Sequence, residues 1–173
     1  MIISVNDLKK RIDCGNETDD VIASRLGAIE SVIRAYTNNN FQQRAIRFEG
    51  WSQADKVYGI PGLLQAGDTV QISESGVNDG LYTVISVAED HIQVDVALLE
   101  ASYNLVTKIK YPPDVIQCAI DLFEWKQAMG DKVGIKSETI SRHSVTYEDS
   151  ATLYMGYPVG ILNGLKLHRK ARC

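Results

Sequence analysis

Leu81-Tyr82-Thr83-Val84-Ile85-Ser86-Val87-Ala88-Glu89-Asp90-His91-Ile92-Gln93-Val94-Asp95-Val96 reads as two strands joined by a tight connection. Leu81, Thr83, Ile85 and Val87 alternate with Tyr82, Val84 and Ser86. Ile92, Val94 and Val96 then alternate with Gln93 and Asp95. This is the period of two by which a strand sends successive side chains to opposite faces. The connection Ala88-Glu89-Asp90-His91 is short enough for a hairpin. Upstream, Val70 and Ile72 alternate with Gln71 and Ser73, while Gly67-Asp68 and Asn78-Asp79-Gly80 offer residues suited to the positive φ of tight turns. With flanking strands at 46–51 and 105–110, about five strands are expected between 44 and 110, enough for a small barrel or a rolled sheet.

Outside this stretch the period lengthens. Ile22, Leu26, Ile29, Ile33 and Tyr36 fall on one helical face, preceded by Thr18-Asp19-Asp20, whose cap and carboxylates suit the positive end of a helix. Asn38-Asn39-Asn40 ends it with residues that tolerate turns. Residues 4–11 suggest a short helix capped at Ser4 or Asn6. Tyr111-Pro112-Pro113-Asp114 restarts the helical spacing, since proline loses nothing in a first turn. From there Val115, Ile116, Ala119, Ile120, Leu122, Phe123, Trp125, Ala128 and Met129 leave only a narrow polar stripe of Asp114, Gln117, Asp121 and Glu124. A helix apolar over most of its circumference must be covered on several sides. Few other helices are available, so a neighbouring subunit is expected to share the covering, with Ile116, Ile120, Phe123 and Trp125 as packing residues; burial wholly within one chain is the competing possibility. The expected class is α+β: a small α-helical bundle from 1–43 and 111–173, a central inserted β module at 44–110, and a C-terminal helical arm.

At 173 residues, 45% hydrophobic and 23% charged, the composition is that of an ordinary globular protein. A net charge of −4 argues against a general nucleic-acid binder, which carries a basic surplus to neutralise phosphates. Cys14, Cys118 and Cys173 form no CxxC pair and fit a reducing cytoplasm, Cys118 as a core thiol. The opening Met1-Ile2-Ile3-Ser4-Val5 lacks the basic start and long apolar run of a secretory signal, and no segment approaches the ~20 apolar residues of a membrane span. We therefore expect a soluble product made in the cytoplasm.

Catalytic chemistry finds little footing. His143, beside Ser141, Arg142 and Ser144, lacks the strained nucleophile turn and orienting carboxylate of a hydrolase. His91, His143 and His168 show no metal-ligand spacing. Asp114, Asp121 and Glu124 read as a solvated helix face. Gly59-Ile60-Pro61-Gly62 and the glycines at 76–80 precede no helix and no Lys-Ser/Thr, so they read as turns. Trp51, Tyr58, Tyr82 and Tyr103 offer a binding face as one reading, but without a basic partner pattern they are expected in the core of the β module or at its rim. No catalytic residue, metal or cofactor is therefore expected.

One charge asymmetry stands out: Lys166, Arg169, Lys170 and Arg172 crowd the last eight residues of an acidic chain. Cations there also complement a helix dipole. Ile161, Leu162 and Leu165 give the same segment an apolar face. Val5-Asn6-Asp7-Leu8-Lys9, Gly134-Ile135-Lys136-Ser137-Glu138-Thr139, Ser144-Val145-Thr146-Tyr147, and Tyr157-Pro158 with Leu165 and Arg169 resemble the bacteriophage head-tail connector (adaptor) proteins. The phrases Gly67-Asp68-Thr69-Val70-Gln71-Ile72 and Asn78-Asp79-Gly80-Leu81-Tyr82-Thr83-Val84 are similar to a small β module of phage structural proteins. Residues 44–110 depart from the compact all-helical connectors. The resemblance implies a virion protein at the head-tail interface, present in the host cytoplasm during assembly. Its partners would be the portal protein, neighbouring copies in a ring of twelve, and a tail-side neck or stopper protein. Genomic DNA would pass through the lumen without specific binding, and no membrane would be involved. Ile161, Leu162, Leu165, Lys166, Arg169, Lys170 and Arg172 would dock on the portal. The competing readings are another neck or tail-completion protein, and a cytoplasmic enzyme or ligand-binding protein whose site the sequence does not identify.

Overall fold

Six antiparallel strands close into a barrel in the computed structural model, which describes residues 1–129, 137–140, 143–146 and 153–171. They are β1 (Gln42–Gln53), β2 (Lys56–Tyr58), β3 (Thr69–Ser73), β4 (Gly80–Val87), β5 (His91–Val94) and β6 (Ala101–Ile109), in the order β1-β2-β5-β4-β3-β6. Closure places β6 beside β1, so no edge is left to pair with another chain. The barrel belongs to one of two units, Asn40–Tyr111 with Met1. Its interior holds Phe48, Val57, Leu64, Val70, Ile72, Val84, Ile92, Val94, Leu98 and Val106.

The structure adds β2 to the strands expected from the sequence and extends β1 back to Gln42. It also moves one turn. The left-handed residues between β3 and β4 are Glu74 and Gly76, not Asn78-Asp79-Gly80. Asn78 instead turns inward, where its Nδ2 donates to Ser52 Oγ (3.0 Å) and the Leu99 carbonyl (2.9 Å) and its Oδ1 accepts from the Leu99 N–H (2.9 Å). A 96% buried amide is thereby satisfied at both ends and fixes two loops to β1. Gly67 has φ +87°, as a tight turn requires, and the β4–β5 hairpin closes with Ala88 N–H on the His91 carbonyl at 2.9 Å.

The second unit comprises Ile2–Asn39 and Pro112–Cys173. α1 (Val5–Lys9) is capped by Ser4, whose Oγ accepts the Asp7 N–H at 3.1 Å. α2 (Asp19–Thr37) buries Ile22, Leu26, Ile29, Val32 and Ile33 and ends at Asn38 in the left-handed conformation (φ 48°). α3 (Pro113–Met129) packs on α2. β7 (Ser137–Ile140) and β8 (His143–Thr146) pair antiparallel, with Ser137 opposite Thr146. β9 (Leu153–Tyr154) and β10 (Tyr157–Pro158) form a second two-stranded sheet. The helix expected at the C-terminus is instead one α-turn, α4 (Val159–Leu162), followed by 3-10 geometry over Asn163–His168 and extended backbone at Arg169. Gly164 inside this segment lowers its propensity for continuous α-helix.

Candidate interaction surface

α3 is covered mostly by its own chain, which corrects part of the expected subunit contact. Ile120 and Phe123 are 2% and 0% exposed within the chain, so neither is free to meet a neighbour. The sequence argument undercounted the cover, because α4, β10 and the 3-10 segment join α2 in packing against α3. Arg25 adds to it, its guanidinium 5.0 Å above the Phe123 ring and paired with Glu17 at 2.8 Å. Ile116 and Trp125 are half-buried, and the Trp125 ring lies 6.2 Å from that of Tyr157.

The C-terminal docking residues divide in the same way. Leu162 and Leu165 are 0% and 1% exposed and act as anchors, while Ile161 is half-buried. The segment beyond them is tied to the end of α2. The Lys170 N–H donates to the Thr37 carbonyl (2.8 Å), Asn39 Nδ2 to the His168 carbonyl (3.1 Å) and Asn38 Nδ2 to the Ala171 carbonyl (3.0 Å). The three asparagines that read as a helix stop therefore include two that hold the segment from His168 to Ala171. The Arg169 guanidinium lies 5.3 Å over the Tyr36 ring. His168 Nε2 meets Asp114 Oδ2 at 2.6 Å, and that hydrogen bond holds the Asp114 carboxyl below its ordinary range.

What remains outward is Lys166, Leu167, Arg169 and Lys170, with Leu167 94% exposed; Arg172 lies outside the described residues. A recess of about 430 Å³ between Ala35, Tyr36, Asn38, Arg169, Lys170 and Ala171 adjoins this edge. Leu167 was absent from the sequence-derived set because its neighbours at helical spacing carried the argument. Two positions beyond Leu165, it falls away from the buried leucines in α and 3-10 geometry alike.

The barrel carries the chain's charge. Residues 40–111 hold nine Asp and Glu against five Lys and Arg, a balance of −4, while the rest of the chain holds thirteen of each. Trp51 and Tyr103 are 46% and 39% exposed, whereas Tyr82 packs against the barrel core. Among the described residues no three His, Cys, Asp or Glu side chains gather as a metal site, and no helix is long and apolar enough to cross a membrane.

No protein-family model and no curated protein sequence matches the chain.

Proposed function

We propose that the chain is a structural head-tail connector (adaptor) subunit of a bacteriophage, forming a ring beneath the portal as part of the virion. In this reading its helical unit is the connector bundle, its barrel an insertion, and its C-terminal segment the arm that docks. The observation that carries it is Leu167, 94% exposed on a segment whose other leucines are buried, with Lys166, Arg169 and Lys170 around it. An apolar knob within a basic rim, held by Leu162 and Leu165 rather than left mobile, is preorganised for a partner with an acidic-rimmed pocket. Burial of such a knob would give affinity, and the cations chiefly encounter rate and orientation. The sequence phrases that resemble the connectors lie in the same unit.

Neighbouring copies, twelve in number, would meet through the half-buried Ile116 and Trp125. A tail-side neck or stopper protein would also be received, and genomic DNA would pass through the lumen without specific binding. No catalytic step, metal or cofactor is needed in this role.

The test is to mix the protein with portal-bearing, DNA-filled heads and measure co-sedimentation, with rings scored by electron microscopy. Leu167→Glu combined with Lys170→Glu should abolish attachment while circular dichroism and melting stay unchanged, because neither side chain is buried. Undiminished attachment by that folded variant would overturn the reading.

A further inference from the structure

Gly50 stands opposite Asn104 and Ser52 opposite Ala101 on the β1–β6 ladder, a two-residue step matched by a three-residue step. The extra residue is a β-bulge, and it sets Trp51 against two β6 residues, Ser102 and Tyr103, locally parting the ladder. A shallow recess of about 500 Å³ lies at this point, lined by Trp51, Ser52, Glu100, Ala101 and Ser102.

The recess has one rigid wall. β1 runs between β2 and β6, and on the β2 side Tyr58 stacks on Trp51 with ring centroids 4.1 Å apart and planes 11° from parallel. His91 continues the row, 5.4 Å beyond Tyr58. One indole face is thus held, and Trp51, 46% exposed, also lines the recess beside β6. A fixed ring costs little conformational entropy when a ligand settles on it, and its π-face attracts a cation within about 6 Å. Glu100 brings a carboxylate to the same recess and is steadied by Gln53 Nε2, 3.0 Å from its Oε1. The surrounding barrel carries a net −4, which repels phosphate and favours positive charge.

We propose that this recess is a docking site for an arginine side chain of a partner protein, its guanidinium stacked on the exposed Trp51 ring and its N–H groups donating to Glu100. Arginine fits better than lysine because its cation is planar, weakly hydrated and forked toward a carboxylate. The proposal does not depend on the neck-ring reading, since any partner with a basic surface would meet the same chemistry.

The test uses the full chain, labelled with ¹⁵N, and follows the Trp51 indole N–H resonance, which is identified by its loss in Trp51→Leu. Arginine amide should shift it saturably, while the neutral isostere citrulline amide and the sugar maltotriose should not. Glu100→Gln should weaken the arginine titration about fivefold, and about 0.5 M salt should weaken it further, as expected for a partly exposed ion pair on an aromatic face. In Trp51→Leu, the remaining barrel amides near Ala101 should no longer respond. An arginine response unchanged in Glu100→Gln, an equal response to citrulline amide or maltotriose, or no saturable shift at all would each overturn the assignment. Glu100 is exposed, so its variant remains informative if Trp51→Leu fails to fold.

Discussion

Gln42 stands directly opposite Ile109 on the β1–β6 ladder, and beyond them the Lys110 N–H donates to the Phe41 carbonyl at 3.0 Å. The chain therefore enters and leaves the barrel at neighbouring positions, with Phe41 and Tyr111 in ring contact, centroids 5.0 Å apart. A segment with adjacent ends can be removed without stretching what precedes and follows it. Replacing residues 42–109 by a short Gly/Ser linker should preserve helical circular dichroism and cooperative melting of the remaining chain. Aggregation or loss of a cooperative transition would show that the helical unit requires the barrel to fold.

The barrel was legible because half-buried strands alternate, as in Val70-Gln71-Ile72 and Ile92-Gln93-Val94. β2 was not, since a three-residue strand with one buried side chain, Val57, has no period to read. β1 hid its full length for another reason. Its ladder with β6 shifts register at two places, so its inward and outward positions drift. Leu162 and Leu165 were legible as apolar but not as inward, because propensity cannot say whether a short amphipathic segment lies on its own chain or another. Trp51 and Tyr58 were legible as aromatics that could line a binding face, but the recess itself was not: the bulge that opens it lies between ladder pairs 49 and 54 residues apart in sequence.

Leu165 and Leu167 differ by two positions in sequence and by 1% against 94% in exposure, so their variants should separate folding from docking. Leu165→Ala should lower stability by about 2–5 kcal/mol, the range for truncating a buried leucine. Leu167→Ala should change it by less than about 0.5 kcal/mol. Urea unfolding of both variants checks this. Equal effects would mean that the 3-10 turn does not set the two side chains on opposite sides.

Gly50 is required by the approach of β2. A Cβ there would overlap the Tyr58 carbonyl oxygen, a backbone atom that cannot swing aside, and would also press on Val57 at 3.3 Å. Gly50→Ala should cost about 1–3 kcal/mol, as overpacking does, and should loosen the Trp51–Tyr58 stack built on the same pair of strands. Thermal melting gives the first quantity, and the Trp51 indole resonance reports the second. A melting temperature unchanged from the parent would show that β2 can shift freely away from β1.

Cys118 provides a pH-dependent readout of the packing between α3 and α4. Its thiol lies 3.8 Å from the Ile161 carbonyl oxygen and is 6% exposed; burial, aided by the charges of Asp121 and Asp114, pushes it up to about 12. The folded value is raised above the ordinary one of 9.0, so folding favours the neutral thiol. Its contribution should be complete below pH 9 and should fade as the pH climbs toward 12, because the unfolded chain then ionises first. Compared with Cys118→Ala, the parent should lose stability faster over that interval, as measured by urea unfolding at successive pH values. In a Cys173→Ser background at pH 8, a thiol reagent should modify Cys118 only at the rate of unfolding, and Cys14, also raised by burial, should be similarly slow. Rapid modification of Cys118 in the native protein, or a stability gap that stays constant through the alkaline range, would mean that α4 does not cover this face of α3.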